Sequence, residues 1–228
     1  MGARYINNDG TPISKLAGVK KQYEKINGVF KPVYYDGYVL YNSLTTDGTA
    51  YIDLGHKGDG NNTHIIDFTL TTLSGDVGVF GNRVDGNKCL GIFYSKDYNN
   101  IAAENQEAGY ENRLILSAPT LGRYLVTFSA TKTTVLHDGV LNEKIYTTPV
   151  CSETYNNLDV FRYPMNGTPT TYFQNSLTVH SIEEYSPSGL LLHQYVPARR
   201  ISDVVLGLLD VVNGVFHTNA AGSGSFSV

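Results

Sequence analysis

The sequence predicts an all-β protein made of two packed antiparallel sheets, and three observations carry that prediction. The first is composition: 23 Gly, 17 Tyr and 9 Phe, no Trp, and 17% charged residues in a chain of 228. That balance favours turns and half-buried strands over helices. The second is turn chemistry, with Asn-Gly at 27, 166 and 213 and Asp-Gly at 9, 36, 47, 59, 85 and 138. Both dipeptides tolerate positive φ and close two-residue hairpins between apolar-patterned runs. The third is period-two alternation: Ile66, Phe68 and Leu70 share one face of a run whose other face is Asp67, Thr69 and Thr71.

From the N-terminus, residues 1–44 read as an attachment arm with an aromatic connector, and residues 45–228 as the sandwich. Residues 1–33 hold six basic and two acidic side chains, a net +4, which leaves −8 for the remainder of a chain whose total is −4. A basic arm ahead of an acidic body is steered toward acidic surfaces, including the bodies of sister subunits. Within the arm, Tyr23-Glu24-Lys25-Ile26 and Val29-Phe30-Lys31-Pro32-Val33 flank Asn27-Gly28 as a hairpin. A hairpin this small does not stand alone in water, so it must pack on the body or on a neighbouring chain. Lys20, Lys21, Tyr23, Ile26, Val29 and Phe30 are therefore the expected attachment residues. Tyr34 to Tyr41, four of whose eight residues are Tyr, reads as a docked connector rather than a floppy linker.

Beyond residue 44, strands are expected at 49–53, 64–73, 77–81, 90–95, 113–117, 123–129, 133–137, 140–145, 159–162, 177–182, 190–196 and 215–218. In the run 123–129, Tyr124, Val126 and Phe128 alternate with Leu125, Thr127 and Ser129, and Leu125 breaks the polar face. Asp138-Gly139 joins two of the strands as a hairpin. Residues 202–212 form the one helical candidate, which fits an extended conformation equally well. A dozen short strands without a longer amphipathic helix imply a two-sheet sandwich.

Several function classes are excluded on pattern. No run approaches the ~18 consecutive apolar residues of a membrane span, and the first twenty residues lack the apolar core of a signal peptide. Ile6 stands where an N-myristoylation signal requires Ser or Thr. Six dispersed basic charges in the arm do not make a nucleic-acid motif. Cys89 and Cys151 are too few and too far apart for a disulfide framework or zinc knuckle and read as buried thiols. The run Gly58-Asp59-Gly60-Asn61-Asn62-Thr63 lacks the features of a phosphate loop, a dinucleotide fingerprint or an EF-hand, and reads as a polar turn. The six histidines show no familiar zinc spacing. No cofactor or metal is expected.

The passage His193-Gln194-Tyr195-Val196-Pro197-Ala198-Arg199-Arg200, followed by Gly207-Leu208-Leu209-Asp210 and Asn213-Gly214-Val215-Phe216-His217-Thr218-Asn219, resembles the close of a known family. That family is the concanavalin A-like (laminin-G-like) jelly-roll domains of phage and prophage virion proteins and of some gut-bacterial surface proteins. The opening Thr49-Ala50-Tyr51-Ile52-Asp53-Leu54-Gly55 and the tail Gly222-Ser223-Gly224-Ser225-Phe226 are similar to its ends, so the resemblance covers residues 45–228. Residues 19–31 are similar to a short segment recurring in phage virion proteins. Leu209 and His217 stand where the family usually has Tyr. The resemblance implies a two-sheet antiparallel jelly roll in a non-enzymatic virion structural protein: capsid decoration, head fibre or tail-associated. Assembled in the host cytoplasm and displayed on the particle surface, it would partner other virion proteins and itself as a trimer or dimer. Alternatives are a carbohydrate-binding module of a bacterial surface protein and a glycan-degrading enzyme.

On residue chemistry, the closing motif reads as scaffold, with Val196 and Phe216 as core candidates and Arg199-Arg200 satisfying carbonyls or carboxylates. A glycosidase needs two carboxylates converging on one bond. Glu183 and Glu184 are adjacent and so point to opposite faces of a strand, while Asp53, Asp67 and Asp159 appear isolated in the sequence. For glycan binding, Tyr98-Asn99-Asn100 and Tyr155-Asn156-Asn157 supply stacking surfaces and planar hydrogen-bonding amides between strands.

Overall fold

A computed structural model describes residues 35–83, 88–107, 109, 111–154, 156–163 and 175–228, together with the backbone of four strands ahead of and reaching residue 35. Those four are β1 (Tyr5–Ile6), β2 (Pro12–Ile13), β3 (Lys21–Ile26) and β4 (Val29–Tyr35). Then follow β5 (Tyr38–Leu40), β6 (Leu44–Thr46), β7 (Ile52–Lys57), β8 (Thr63–Leu70), β9 (Val77–Arg83), β10 (Cys89–Ser95) and β11 (Asn100–Gln106). Next come β12 (Arg113–Ser117), β13 (Gly122–Phe128), β14 (Lys132–His137), β15 (Val140–Ile145) and β16 (Asn157–Val160). The chain closes with β17 (Leu177–Tyr185), β18 (Leu191–Arg200), β19 (Leu206–Asp210), β20 (Val215–His217) and β21 (Phe226–Ser227). No helix occurs among the described residues.

The strands build a two-sheet antiparallel jelly-roll sandwich. One sheet has the order β12-β11-β10-β9-β16-β7; the other runs β15-β14-β13-β8-β17-β18-β5-β4-β3, with β19 and β20 added on β18 and with β6 and β21 added on β17. The alternation read from the sequence places its apolar face inward: Ile66, Phe68, Leu70, Tyr124, Val126 and Phe128 are all buried in one core. Register explains why, since Ile66 lies opposite Val126 and Phe68 opposite Tyr124, and these side chains meet the other sheet's Leu54, Phe80, Ile92 and Val160. Each such burial is worth roughly 1.5–3 kcal/mol. Leu125, the residue that broke the polar pattern, lies on the outer face in a cross-strand row with Leu136 and Leu141.

Two local readings are realised in the backbone. Asp138 and Gly139 both adopt positive φ, 49° and 76°, between His137 and Val140. The arm hairpin pairs Ile26 with Val29 across Asn27-Gly28, while the turn residues themselves, and the side chains of Lys21, Tyr23, Ile26, Val29 and Phe30, lie outside the described residues, as does Lys20. The connector becomes a strand: β5 pairs Tyr38, Val39 and Leu40 with Arg200, Arg199 and Ala198. Tyr35, Tyr38, Leu40 and Phe216 then cover a second core of Val196, Ala198, Leu209 and Val211 on the outer face of β18–β19. The closing motif is thus the seat of the connector, and Leu209 packs fully there.

The helical candidate at 202–212 is instead turn and strand, with Leu209 opposite Val196 and Leu208 opposite Pro197. Leu208 enters the main core and Leu209 the second, so this strand is apolar on both faces and its period is invisible. Strand β11 was not anticipated for a related reason. Its Ala102, Glu104 and Gln106 are buried on the outer face just as Ile101, Ala103 and Asn105 are on the inner.

Candidate functional site

The two Asn-rich triplets occupy opposite ends of the six-stranded sheet and do not meet. Tyr98 and Asn99 form the β10–β11 turn beside the start of β9, where Tyr94 pairs with Val77, whereas Asn157 pairs with Lys57 near the far end of that sheet. Tyr98 is 80% exposed. Asn99 serves the turn: it adopts φ 44°, its N–H donates to the Lys96 carbonyl and its carbonyl accepts from Ala118 N–H. Asn100 is drawn into β11 opposite Ser95 and Ser117. Tyr155 lies outside the described residues, and exposed Asn156 accepts the Thr154 hydroxyl at its carbonyl.

Asn157 belongs to a polar patch on the outer face of the sheet. Its Nδ2 donates to both Asp53 carboxylate oxygens at 3.0 and 3.3 Å. Asp53, read from the sequence as isolated, stands directly opposite Asp159 across β7 and β16. The sequence could not show this, because the pairing joins segments more than a hundred residues apart. Nε and Nη2 of Arg162 both donate to Asp159 Oδ2, at 3.0 and 2.6 Å, and the guanidinium lies 3.4 Å over the centre of the Tyr51 ring. Burial raises the Asp159 pKa to about 6, against the opposing charge of Arg162. Tyr51, Asp53, Asn157 and Arg162 are half-buried, so the patch presents an amide, a carboxylate and a guanidinium stacked on an aromatic ring. Further along this face, Tyr163 donates to Glu104 Oε2 at 2.9 Å, and Arg113 pairs with the other Glu104 oxygen. The Tyr163 ring lies on Gly91, where a Cβ would meet it at 2.4 Å.

A second polar cluster caps the interior at the Asn157 end. Glu184 and His193 are directly opposite across β17–β18, and Tyr195 and Asp210 are paired across β18–β19. His56 of β7 reaches across from the other sheet, its Nε2 2.9 Å from Glu184 Oε2. Asn62 Nδ2 donates to Glu184 Oε1 at 2.7 Å, and His193 Nδ1 lies 2.7 Å from Asp210 Oδ2. The His56 and His193 rings stack with centroids 4.3 Å apart at 12°. Burial alone would raise the Glu184 pKa, but the bond to His56 and the charges and bonds of His64 and Asn62 bring it down to about 2. Burial likewise opposes ionisation of Asp210, and bonds from His193, Asn213 and two backbone N–H groups bring it to about 2. His56 is raised, because Glu184 outweighs the effect of burial. His64 and His217 are lowered by burial.

Sequence spacing missed this cluster because its members come from four strands in two sheets and from the loop after β7. Glu183, on the outer face, bonds instead to Gln194 and Tyr185, as opposite-face geometry requires. The loop after β7 is a polar turn: Asp59 Oδ1 accepts from Asn61 N–H and Nδ2, and Gly60 N–H donates to the Cys151 carbonyl. Cys89 and Cys151 are buried thiols joined in no disulfide, and burial pushes each up to about 12.

No family model matches the chain, and no curated protein sequence matches it. Among solved structures it is similar to domains LG4-5 of the mouse laminin alpha1 chain, at 10% identity and TM-score 0.42, covering 78% of this chain and 45% of that one. It is also similar to the CBM40 of Ruminococcus gnavus IT-sialidase, at 13% identity and TM-score 0.40, covering 63% of this chain and 89% of that one. A third is the extracellular region of zebrafish Gpr126/Adgrg6, at 10% identity and TM-score 0.42, covering 86% of this chain and 28% of that one. The chain therefore spans less than half of the laminin chain it matches.

Proposed function

We propose that the chain is a non-enzymatic structural protein of a phage virion whose sandwich is a lectin-like domain displayed outward to bind host-surface or mucosal glycans. The observation that carries the glycan reading is the half-buried patch of Tyr51, Asp53, Asn157 and Arg162. Sugar hydroxyls are recognised by planar donors and acceptors, and a ring face by an aromatic. The closing passage and the segment 19–31 support the virion setting, with the basic arm as the element that docks on other virion proteins or on sister subunits of a dimer or trimer.

The state of the carboxylates supports the non-enzymatic reading. Among the described residues, Asp159 is the one strand acid raised toward a general acid's range, yet its side chain is 5% exposed and Arg162 Nε and Nη2 both bond one of its oxygens. A general acid must come within hydrogen-bond reach of its substrate. Glu184 and Asp210, held near 2, do not carry a proton to donate at neutral pH.

A glycan array probed with the full chain tests the proposal. Binding to at least one glycan class is expected, lost in Asn157→Ala and retained in Tyr98→Ala, with hydrolysis of the bound glycan at background. Silence across the array, or binding indifferent to Asn157→Ala, would overturn the glycan reading. Turnover abolished by Asp159→Asn would overturn the non-enzymatic one.

A further inference from the structure

We infer that His56, Glu184 and His193 form a binding site for a divalent transition-metal ion of the zinc class, which clamps the two sheets together at one end of the sandwich. Each of the three offers a ligand atom, and these atoms all lie within 4.8 Å of one another. The donor set, two imidazoles and a carboxylate, is that of three-ligand zinc sites and suits borderline-soft cations rather than calcium, which takes all-oxygen shells.

The surroundings are those of a metal site as well as the donors. Asp210 Oδ2 accepts from Asn213 Nδ2 at 2.7 Å and lies 2.7 Å from His193 Nδ1. A carboxylate in that place holds the proton on Nδ1 and leaves the Nε2 lone pair for an ion. Asn62 bonds Glu184 Oε1 and so leaves Oε2 directed toward His56. Glu184 is buried, whereas the side chains of His56 and His193 are 23% and 26% exposed, which gives an ion access from solvent and leaves room for a water ligand. The two rings lie parallel, so coordination of one ion requires each to turn about its Cβ–Cγ bond until Nε2 faces it. Because His56 belongs to β7 of one sheet, and Glu184 and His193 to β17 and β18 of the other, the bound ion links the sheets as a cross-link would.

The test uses the full chain without a histidine tag, stripped with chelator and titrated with zinc chloride by calorimetry. Uptake of one zinc per chain with a rise in melting temperature is expected, and cobalt chloride should give the visible ligand-field bands of a tetrahedral centre. Glu184→Gln and His193→Ala should weaken zinc binding about tenfold or more, Asp210→Asn about tenfold through the orientation of His193, and His180→Ala not at all. If circular dichroism shows that His193→Ala does not fold, Asp210→Asn, which keeps all three ligands, decides. No zinc uptake, uptake unchanged in these variants, or a response confined to calcium chloride would overturn the inference.

Discussion

Asp210 shows how one buried side chain organises several strands. Its carboxylate accepts from His193, from Asn213 Nδ2 and from the backbone N–H groups of Gln194, Val212 and Asn213. These bonds favour the ionised form and depress its pKa from 3.8 to about 2. A carboxyl with a depressed folded pKa contributes stability that is fully present above its unfolded value, here 3.8, and is lost as acidification carries the pH through about 2. Asp210→Asn should therefore cost about 1–3 kcal/mol at pH 7, the penalty for breaking a buried charged hydrogen-bond set. Urea denaturation of both proteins at several pH values checks this: the difference should persist down to pH 4 and vanish below pH 2. A difference constant with pH would mean that packing, not charge, is what the substitution removes.

The second core gives β18 and β19 their hold on the connector. Leu209 is fully buried there, so Leu209→Ala should destabilise the chain by about 2–5 kcal/mol. Leu141, 63% exposed on the outer row of β15, should tolerate the same change within about 0.5 kcal/mol. Equilibrium denaturation of the two variants compares them directly, and equal effects would show that this second core does not hold the structure. Which strands were legible follows from the same geometry. Strands β8 and β13 bury one face and bare the other, so their alternation stands in the sequence, and Asp138-Gly139 announces its hairpin through turn chemistry. Strands β11 and β19 bury both faces, one with Ala, Glu, Asn and Gln and the other with a Leu-rich run, and neither composition carries a period. The candidate site divides likewise. Asn157 was readable as an amide near a strand end, but its partner Asp53 is set by the tertiary pairing of β7 with β16. The histidine cluster was unreadable because His56 and His193 are separated by most of the sandwich in sequence and meet only when the sheets close.

For the chain as a whole, the arm and the sandwich share one continuous sheet through β4, β5 and β18. The two parts of the N-terminal region should therefore respond differently to truncation. Removal of residues 1–34 leaves Tyr35, Tyr38 and Leu40 on the second core, and the body should stay folded and soluble while losing, on the virion reading proposed above, its incorporation into the particle. Removal of residues 1–40 strips that cover and exposes Val196, Leu209 and Val211, so its melting temperature should fall below that of the shorter truncation. Melting curves and particle incorporation of the two truncated chains check this pair of outcomes. Equal melting temperatures would mean that the connector contributes nothing to the body, and normal incorporation of either would place attachment elsewhere.

The short pairing of β5 with β18 also sets how load passes through the chain. Three residue pairs, Leu40–Ala198, Val39–Arg199 and Tyr38–Arg200, join the arm side of the sheet to the sandwich, whereas β8 and β17 are bonded along nearly their whole lengths. Tension applied between the N-terminus and a ligand held on the six-stranded sheet must cross that short junction before it reaches the longer ones. The short junction should part before the long β8–β17 pairing does, and with the arm unpaired about 40 residues extend to a tether of ~130–140 Å. The connector would then act as a mechanical fuse, yielding slack while the six-stranded sheet stays intact.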